Sequence, residues 1–262
     1  MKYVLGKSNG FNATVKSDSG SLNEYWELGW ELGGSRLLLI KDLIEGNVSK
    51  TDTIITLKDR MFLYENLFTN VLAFEDFDGE ADHRYSDYNY VEPRLKEIEQ
   101  NEFFFKDENN LSYVLNTPGK KNLEKPYFVV HFRQRPHGKE RNIDVQSYVN
   151  LFDSLIRKGF DFIVYGKDSG DTCSLYSKTE TTLNEANQYL KGDNCLGFIG
   201  PVSGGSMIAL LSSEKDHHII DTSMTMMNPS LDKHPLYHGS GPNYIKAKIH
   251  YYRSMENFIQ QI

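Results

Sequence analysis

Four cations, Arg133, Arg135, Lys139 and Arg141, fall within nine consecutive residues of a chain whose formal net charge is −7. Guanidinium forks match phosphate oxygens two at a time, so this loop has the chemistry of a phosphate grip. A solvated basic loop would account for the same residues if the segment stood alone. A second stretch, Gly200-Pro201-Val202-Ser203-Gly204-Gly205-Ser206, leads from a predicted strand into a predicted helix. Its glycines allow close backbone approach, and the first amides of a helix attract an anion. Ser203 and Ser206 could add hydroxyl donors. An ordinary strand-to-helix turn is the plain alternative. Taken together, the two segments form a two-sided cradle for a diphosphate.

Other chemistries find little support. The glycine stretch is neither the Gly-x-Gly-x-x-Gly dinucleotide fingerprint nor a P-loop, because no Gly-Lys-Ser/Thr follows it. No Gly-x-Ser-x-Gly elbow offers a nucleophile. His217 and His218 are adjacent and so point to opposite faces of a strand, and no His-Glu-x-x-His occurs. His131 alternates with apolar neighbours and reads as a core or edge histidine. Cys173 and Cys195 are too few and too far apart for a disulfide framework or a zinc site.

The elements that must position these residues alternate. A strand over 2–5, a loop over 6–21, a helix over 22–44 interrupted at Gly33-Gly34, a strand over 53–57, a helix over 61–67 and a strand over 71–74 make a strand–helix–strand layer with a parallel sheet. The stretch from 75 to 92 is acidic, irregular and rich in tyrosine. A short helix over 93–100 follows, and 116–126 reads as a linker. The second half is clearer. Strands are predicted at 127–132, 162–165, 195–199 and 218–221, and helices at 145–156, 183–190 and 206–211. Asn142 is the expected N-cap of the 145–156 helix, with Asp144 in its first turn and Gly159 just past its end. An amphipathic helix over 245–262 closes the chain. In such sheets ligands bind outside the carboxyl ends of the strands. Both candidate segments stand there, as do Asp168, Asp221 and Thr222.

Composition sets the outer bounds. A length of 262 residues fits one to two domains. Apolar residues make 39% and charged residues 25%, which suits a globular chain with its own core and excludes collagen, low-complexity disorder and a disulfide scaffold. The acidic balance argues against a partner that is a nucleic acid polymer. No signal-peptide pattern and no apolar run near the length of a bilayer span are present, so the expectation is a cytoplasmic protein without a transmembrane segment.

Residues 125–262 resemble the C-terminal, donor-binding domain of two-domain GT-B fold glycosyltransferases. His131-Phe132-Arg133-Gln134-Arg135 is similar to the strand-end His-x-Arg signature of fucosyltransferase-type enzymes. Phe198 to Ala209 is similar to the strand, glycine-rich turn and helix of the heptosyltransferase and fucosyltransferase groups. The resemblance implies an α/β protein of two Rossmann-like domains with parallel sheets and flanking helices. Residues 1–120 would form a reduced, acceptor-binding N-terminal domain, and 121–262 the nucleotide-sugar-binding domain. It implies hexosyl or deoxyhexosyl transfer from a nucleotide-diphosphate donor to a glycan or other hydroxyl acceptor, with no cofactor and no bound metal. Arg133 and the 203–206 helix start would stabilise the departing diphosphate. Arg135, Lys139 and Arg141 would assist or order the loop, and Asp168, Asp221 or Thr222 would meet ribose or base. The general base would come from the first domain, with Asp18 the positional candidate and His83 another. The competing readings are a non-catalytic nucleotide or sugar-phosphate binding module with a degenerate cleft, another α/β enzyme such as an epimerase or hydrolase, and a partner-binding protein using the tyrosines at 85–90.

Overall fold

The computed structural model describes residues 1–5, 28, 31–100, 107–134, 139–166, 169–212, 215–221 and 248–262. The described residues divide between Pro118 and Gly119 into two units, each an α/β layer built on a wholly parallel sheet with flanking helices.

In the first unit, β1 (Lys2–Val4), β2 (Thr53–Thr56) and β3 (Asn70–Ala73) pair in that order, with Tyr3 opposite Ile54 and Ile54 opposite Val71. The β-branched Thr-Ile-Ile-Thr of β2 suits a strand buried on both faces. Asp82 lies along the other edge of β1, accepting from the Val4 amide at 2.9 Å and donating to the Lys2 carbonyl at 2.8 Å. The expected 22–44 helix is, over its described length, a π turn at Glu31–Ser35 that contains Gly33-Gly34, followed by α1 (Arg36–Ile44). A 3₁₀ turn, Lys58–Leu63, stands where a helix over 61–67 was expected. Two further helices, α2 (Tyr88–Gln100, with Pro93 inside it) and α3 (Glu108–Leu115), complete the unit. Arg36 is wholly buried and ties these pieces together, its Nε donating to the Leu63 carbonyl at 3.1 Å and its Nη1 to the Val114 carbonyl at 2.9 Å.

The second unit holds β4 (Tyr127–His131), β5 (Asp161–Tyr165), β6 (Cys195–Pro201), β7 (Asp216–Ile220) and β8 (Ile249–Tyr252), in the spatial order β5-β4-β6-β7-β8. Its helices are α4 (Val145–Arg157), α5 (Gly170–Ser174), α6 (Leu183–Leu190) and α7 (Met255–Ile259). Tyr148, Leu151, Phe152 and Leu155 place one apolar stripe of α4 on the sheet, where Phe152 stacks on Phe162 at 4.4 Å. Met255 and Phe258 of α7 join the same core. On the other side of the unit, α6 packs with a 3₁₀ segment, Gly205–Ser212, where an α-helix over 206–211 was expected.

Three expectations need correction here. The N-cap of α4 is Asp144, whose carboxylate accepts from the Ser147 amide at 2.9 Å. Asn142 has a different task, described below. The 245–262 stretch is not one helix: within its described part it forms β8, which extends the sheet beside β7, and then the short α7. The strand expected at 71–74 runs from Asn70 to Ala73, and Phe74 begins a 3₁₀ turn. Among the described residues, no helix is long and apolar enough to cross a membrane.

Candidate functional site

In the second unit the chain leaves β4 towards β5 on one side and later returns to form β6 on the other. The sheet therefore changes direction between β4 and β6. A doubly wound sheet opens a crevice at that point, outside the carboxyl ends of its strands. Both segments singled out from the sequence start from these two adjacent strand ends. The β4 end carries His131 and Arg133, and the β6 end carries the glycine-rich turn.

Arg133 is 4% exposed, and its Nη1 donates to the amide oxygen of Asn142. That bond explains why Asn142 does not cap α4. The backbone beneath Arg133 is pinned from α4. The Tyr148 hydroxyl donates to the His131 carbonyl at 3.0 Å and accepts from the Arg133 amide at 3.2 Å. Gln134 Nε2 reaches the Ile143 carbonyl. Lys139 (exposed) and Arg141 (half-buried) belong to a short 3₁₀ turn over Lys139–Arg141. The four cations are therefore not equivalent. Arg133 is held within the fold, and the described members of the rest ride on the loop.

In the glycine-rich turn, the hydroxyls expected to face a ligand turn inward. Ser203 and Ser206 are both buried and lie 3.3 Å apart through their Oγ atoms, and Ser206 Oγ donates to the Pro201 carbonyl. The Ser206 amide donates to the Ser203 carbonyl at 3.1 Å, and the Met207 amide to the Gly204 carbonyl at 3.2 Å. A trans peptide points its N–H opposite to its C=O. The carbonyls of Ser203 and Gly204 face into the turn, so the amides of Gly204 and Gly205 point out of its start. The donors on offer at this place are these two amides, and the serine hydroxyls shape the turn.

Asp221 follows β7 at the same rim but is only 1% exposed. Its amide donates to the Tyr252 carbonyl at 2.8 Å. Burial, and then the neighbouring Asp221 carboxylate, push the Tyr251 hydroxyl up to about 12. Asp18, Arg135, Asp168 and Thr222 lie outside the described residues. His83 lies in the first unit beside β1, next to Asp82. Among the described residues no group of three or more His, Cys, Asp or Glu could hold a metal ion.

One contributor, Tyr148, is not among the residues singled out from the sequence. Its lone hydroxyl on the apolar face of α4 is the signal for a buried acceptor.

No protein-family model matches the chain, and no curated protein sequence matches it. The fold is similar to that of ADP-heptose LPS heptosyltransferase II from E. coli, with a TM-score of 0.53, 10% identity, and coverage of 99% of this chain and 96% of that one. A family 9 glycosyl transferase from Veillonella parvula aligns with a TM-score of 0.46 at 10% identity, over 99% of this chain and 90% of that one. The iron-containing heptosyltransferase TibC aligns with a TM-score of 0.43 at 14% identity, over 84% of this chain and 57% of that one. The likeness to the E. coli enzyme is one of fold: α/β layers with parallel sheets and flanking helices.

Proposed function

We propose that this chain is a glycosyltransferase of the two-domain GT-B kind. It moves a hexosyl or deoxyhexosyl group from a nucleotide-diphosphate donor to an acceptor hydroxyl. The observation that carries this reading is the switch point between β4 and β6, where Arg133 and the outward amides of Gly204 and Gly205 rise from neighbouring strand ends. The fold shared with an ADP-heptose enzyme makes ADP the first nucleotide to test. Residues 121–262 take the donor and 1–120 the acceptor.

In the reaction, the bond between the sugar's anomeric carbon and the diphosphate oxygen breaks. A new bond forms from that carbon to the acceptor oxygen, and the acceptor's proton passes to a base. Charge grows on the leaving diphosphate. A buried guanidinium and two fixed amides offset it without reorganising, which is where preorganised donors act most strongly. On this reading charge neutralisation needs no bound metal. Lys139, Arg141 and Arg135 extend the grip, Asp168 and Thr222 serve the nucleoside, the buried Asp221 stands behind them, and Asp18 of the first domain is the base. The fucosyltransferase-like His-x-Arg pattern at 131–133 belongs to the same reading.

The test is thermal denaturation of the full chain with UDP, GDP, ADP, CMP and dTDP nucleotides. A ligand that binds only the folded state raises the midpoint with its concentration. One of these nucleotides should do so, and Arg133→Ala should weaken its binding by about tenfold or more. A chain that none of them stabilises is not a nucleotide-sugar enzyme. Binding without donor hydrolysis or transfer identifies a non-catalytic module instead.

A further inference from the structure

His131 lies beneath the glycine-rich turn, and the reading above gives its imidazole no task of its own. It is 7% exposed, and its ring stacks on that of Tyr165 with centroids 4.8 Å apart and 28° between planes. Glycine backbone surrounds it. A methyl group on Gly205 would lie 2.5 Å from the imidazole Cε1 and Nε2, and one on Gly200 would lie 2.9 Å from its Cβ. One on Gly166, at the end of β5, would lie 3.2 Å from its Nδ1. Neither Gly200 nor Gly205 has the positive φ that would itself call for glycine. Gly205 is therefore a glycine because the imidazole occupies the space of a side chain. The same stack continues to the turn's backbone, since the Tyr165 hydroxyl donates to the Gly205 carbonyl at 2.8 Å.

We infer that His131 is a positioning residue. Stacked on Tyr165 and packed under Gly205, it sets the direction in which the Gly204 and Gly205 amides meet a diphosphate. The inference rests on the proposed donor site and adds to it the part that aims it. The imidazole limits how far the turn can sink towards the sheet, and the tyrosine hydroxyl holds the Gly205 carbonyl, which belongs to the Gly205–Ser206 peptide, the next plane after the one carrying the Gly205 amide. Strand ends β4, β5 and β6 thus meet at this turn, whose donors gain from orientation what a mobile loop would lose in ordering.

The readout is the diphosphate increment: the affinity for a nucleoside diphosphate divided by the affinity for the matching nucleoside, both measured by calorimetry on the full chain. Residues that merely hold the fold together change both affinities or the melting temperature and leave the ratio alone. Tyr165→Phe keeps the ring stack and removes one hydroxyl, so it tests the idea even if His131→Ala folds poorly. Tyr165→Phe should cut the increment about threefold to tenfold and His131→Ala about tenfold or more, the scale of weakening and of losing one hydrogen bond to a charged group. Gly205→Ala should do the same, and its loss should shrink in the His131→Ala background, where the methyl has room. An unchanged increment in Tyr165→Phe and His131→Ala, with a wild-type chain that prefers the diphosphate, overturns the positioning role and leaves the donor site standing. A wild-type chain with no such preference overturns the donor site, and this assignment with it.

Discussion

Both carboxylate oxygens of Glu31 are occupied: Oε1 accepts from Thr56 Oγ1 at 3.0 Å and from the Tyr64 hydroxyl at 2.7 Å, and Oε2 accepts from Arg60. Burial alone would lower the Arg60 guanidinium, but Glu31 overcomes it and the net shift is upward. Burial and then Glu31 raise the Tyr64 hydroxyl well above its usual range. A buried pair of this kind contributes little net stability while both members are present, and much is lost when one is removed. Glu31→Gln should lower the stability of the first unit by about 3–5 kcal/mol in urea denaturation. A loss below about 1 kcal/mol would mean that water or rearrangement satisfies Arg60, as at an exposed pair. None of this was legible beforehand, because a single glutamate before Leu32 reads as a solvated helix position. Its partners, 25 to 33 residues away, are supplied only by the turn at the end of β2. Arg133 was legible, since its position follows from strand-end logic. Its burial was not, since that depends on Asn142.

At the scale of elements, helices whose stripe and ends agreed were read well, and those whose ends were ambiguous were not. Gly159, with φ of +81°, ends α4 where the sequence puts it. The helix starts at Val145 as expected, but its cap is Asp144 and not Asn142: both are good capping residues, and only the fold bonds Asn142 to Arg133. The Asp144 carboxylate accepts from the Ser147 hydroxyl at 2.7 Å as well as from its amide, and these bonds hold it below the usual carboxylate range. Asp144→Ala should cost about 1 kcal/mol of stability at pH 7. Because the folded-state value is depressed, this contribution is present above the unfolded carboxyl range and is lost as pH falls through the folded value. The gap between wild type and variant should therefore narrow towards pH 3 in paired thermal melts. α6 has a full capping box, in which Thr182 Oγ1 accepts from the Glu185 amide at 3.2 Å and Glu185 reaches back to the Thr182 amide at 3.3 Å. Thr182→Ala should likewise cost about 1 kcal/mol, measured by the denaturant midpoint at constant slope. The Ile-His-Tyr-Tyr of β8 failed as a local signal because a four-residue edge strand is defined by its neighbour, β7, and four residues cannot separate period two from period 3.6.

For the molecule as a whole, acid is the expected weakness. His217 is 2% exposed, and burial lowers it to about 4; burial and then His250 lower His218 to about 4 as well. Around His218 stand the stacked His250 ring, the Tyr252 hydroxyl at 3.1 Å and Phe258 of α7, while Asp216 pairs with His250 at 3.3 Å. Folded-state values below the unfolded value mean that the unfolded chain binds more protons. Stability is full above about pH 6.5 and falls as pH drops from there towards 4. His217 alone should cost about 2 kcal/mol by pH 5. His217→Phe should flatten part of the slope of melting temperature against pH between 7 and 5, and an unchanged slope would show that other groups dominate it. The sequence pI of about 5.6 falls in the same window, so loss of net charge and loss of stability coincide. The α/β grammar and parallel sheets were legible because helical and strand periods alternate along the chain. The strand order was not, since alternation alone does not say on which side of β4 the chain returns. One consequence of that order reaches beyond the native state. Among the described residues every strand pair is parallel, so none of these neighbours can zip from a tight hairpin, and each contact waits for a whole crossover to close. β8 covers the edge of β7, so in any species where β8 is undocked the Ile219-Ile220 edge is open to other chains. Refolding should therefore be slow, and its yield should fall as protein concentration rises, whatever the stability of the finished molecule.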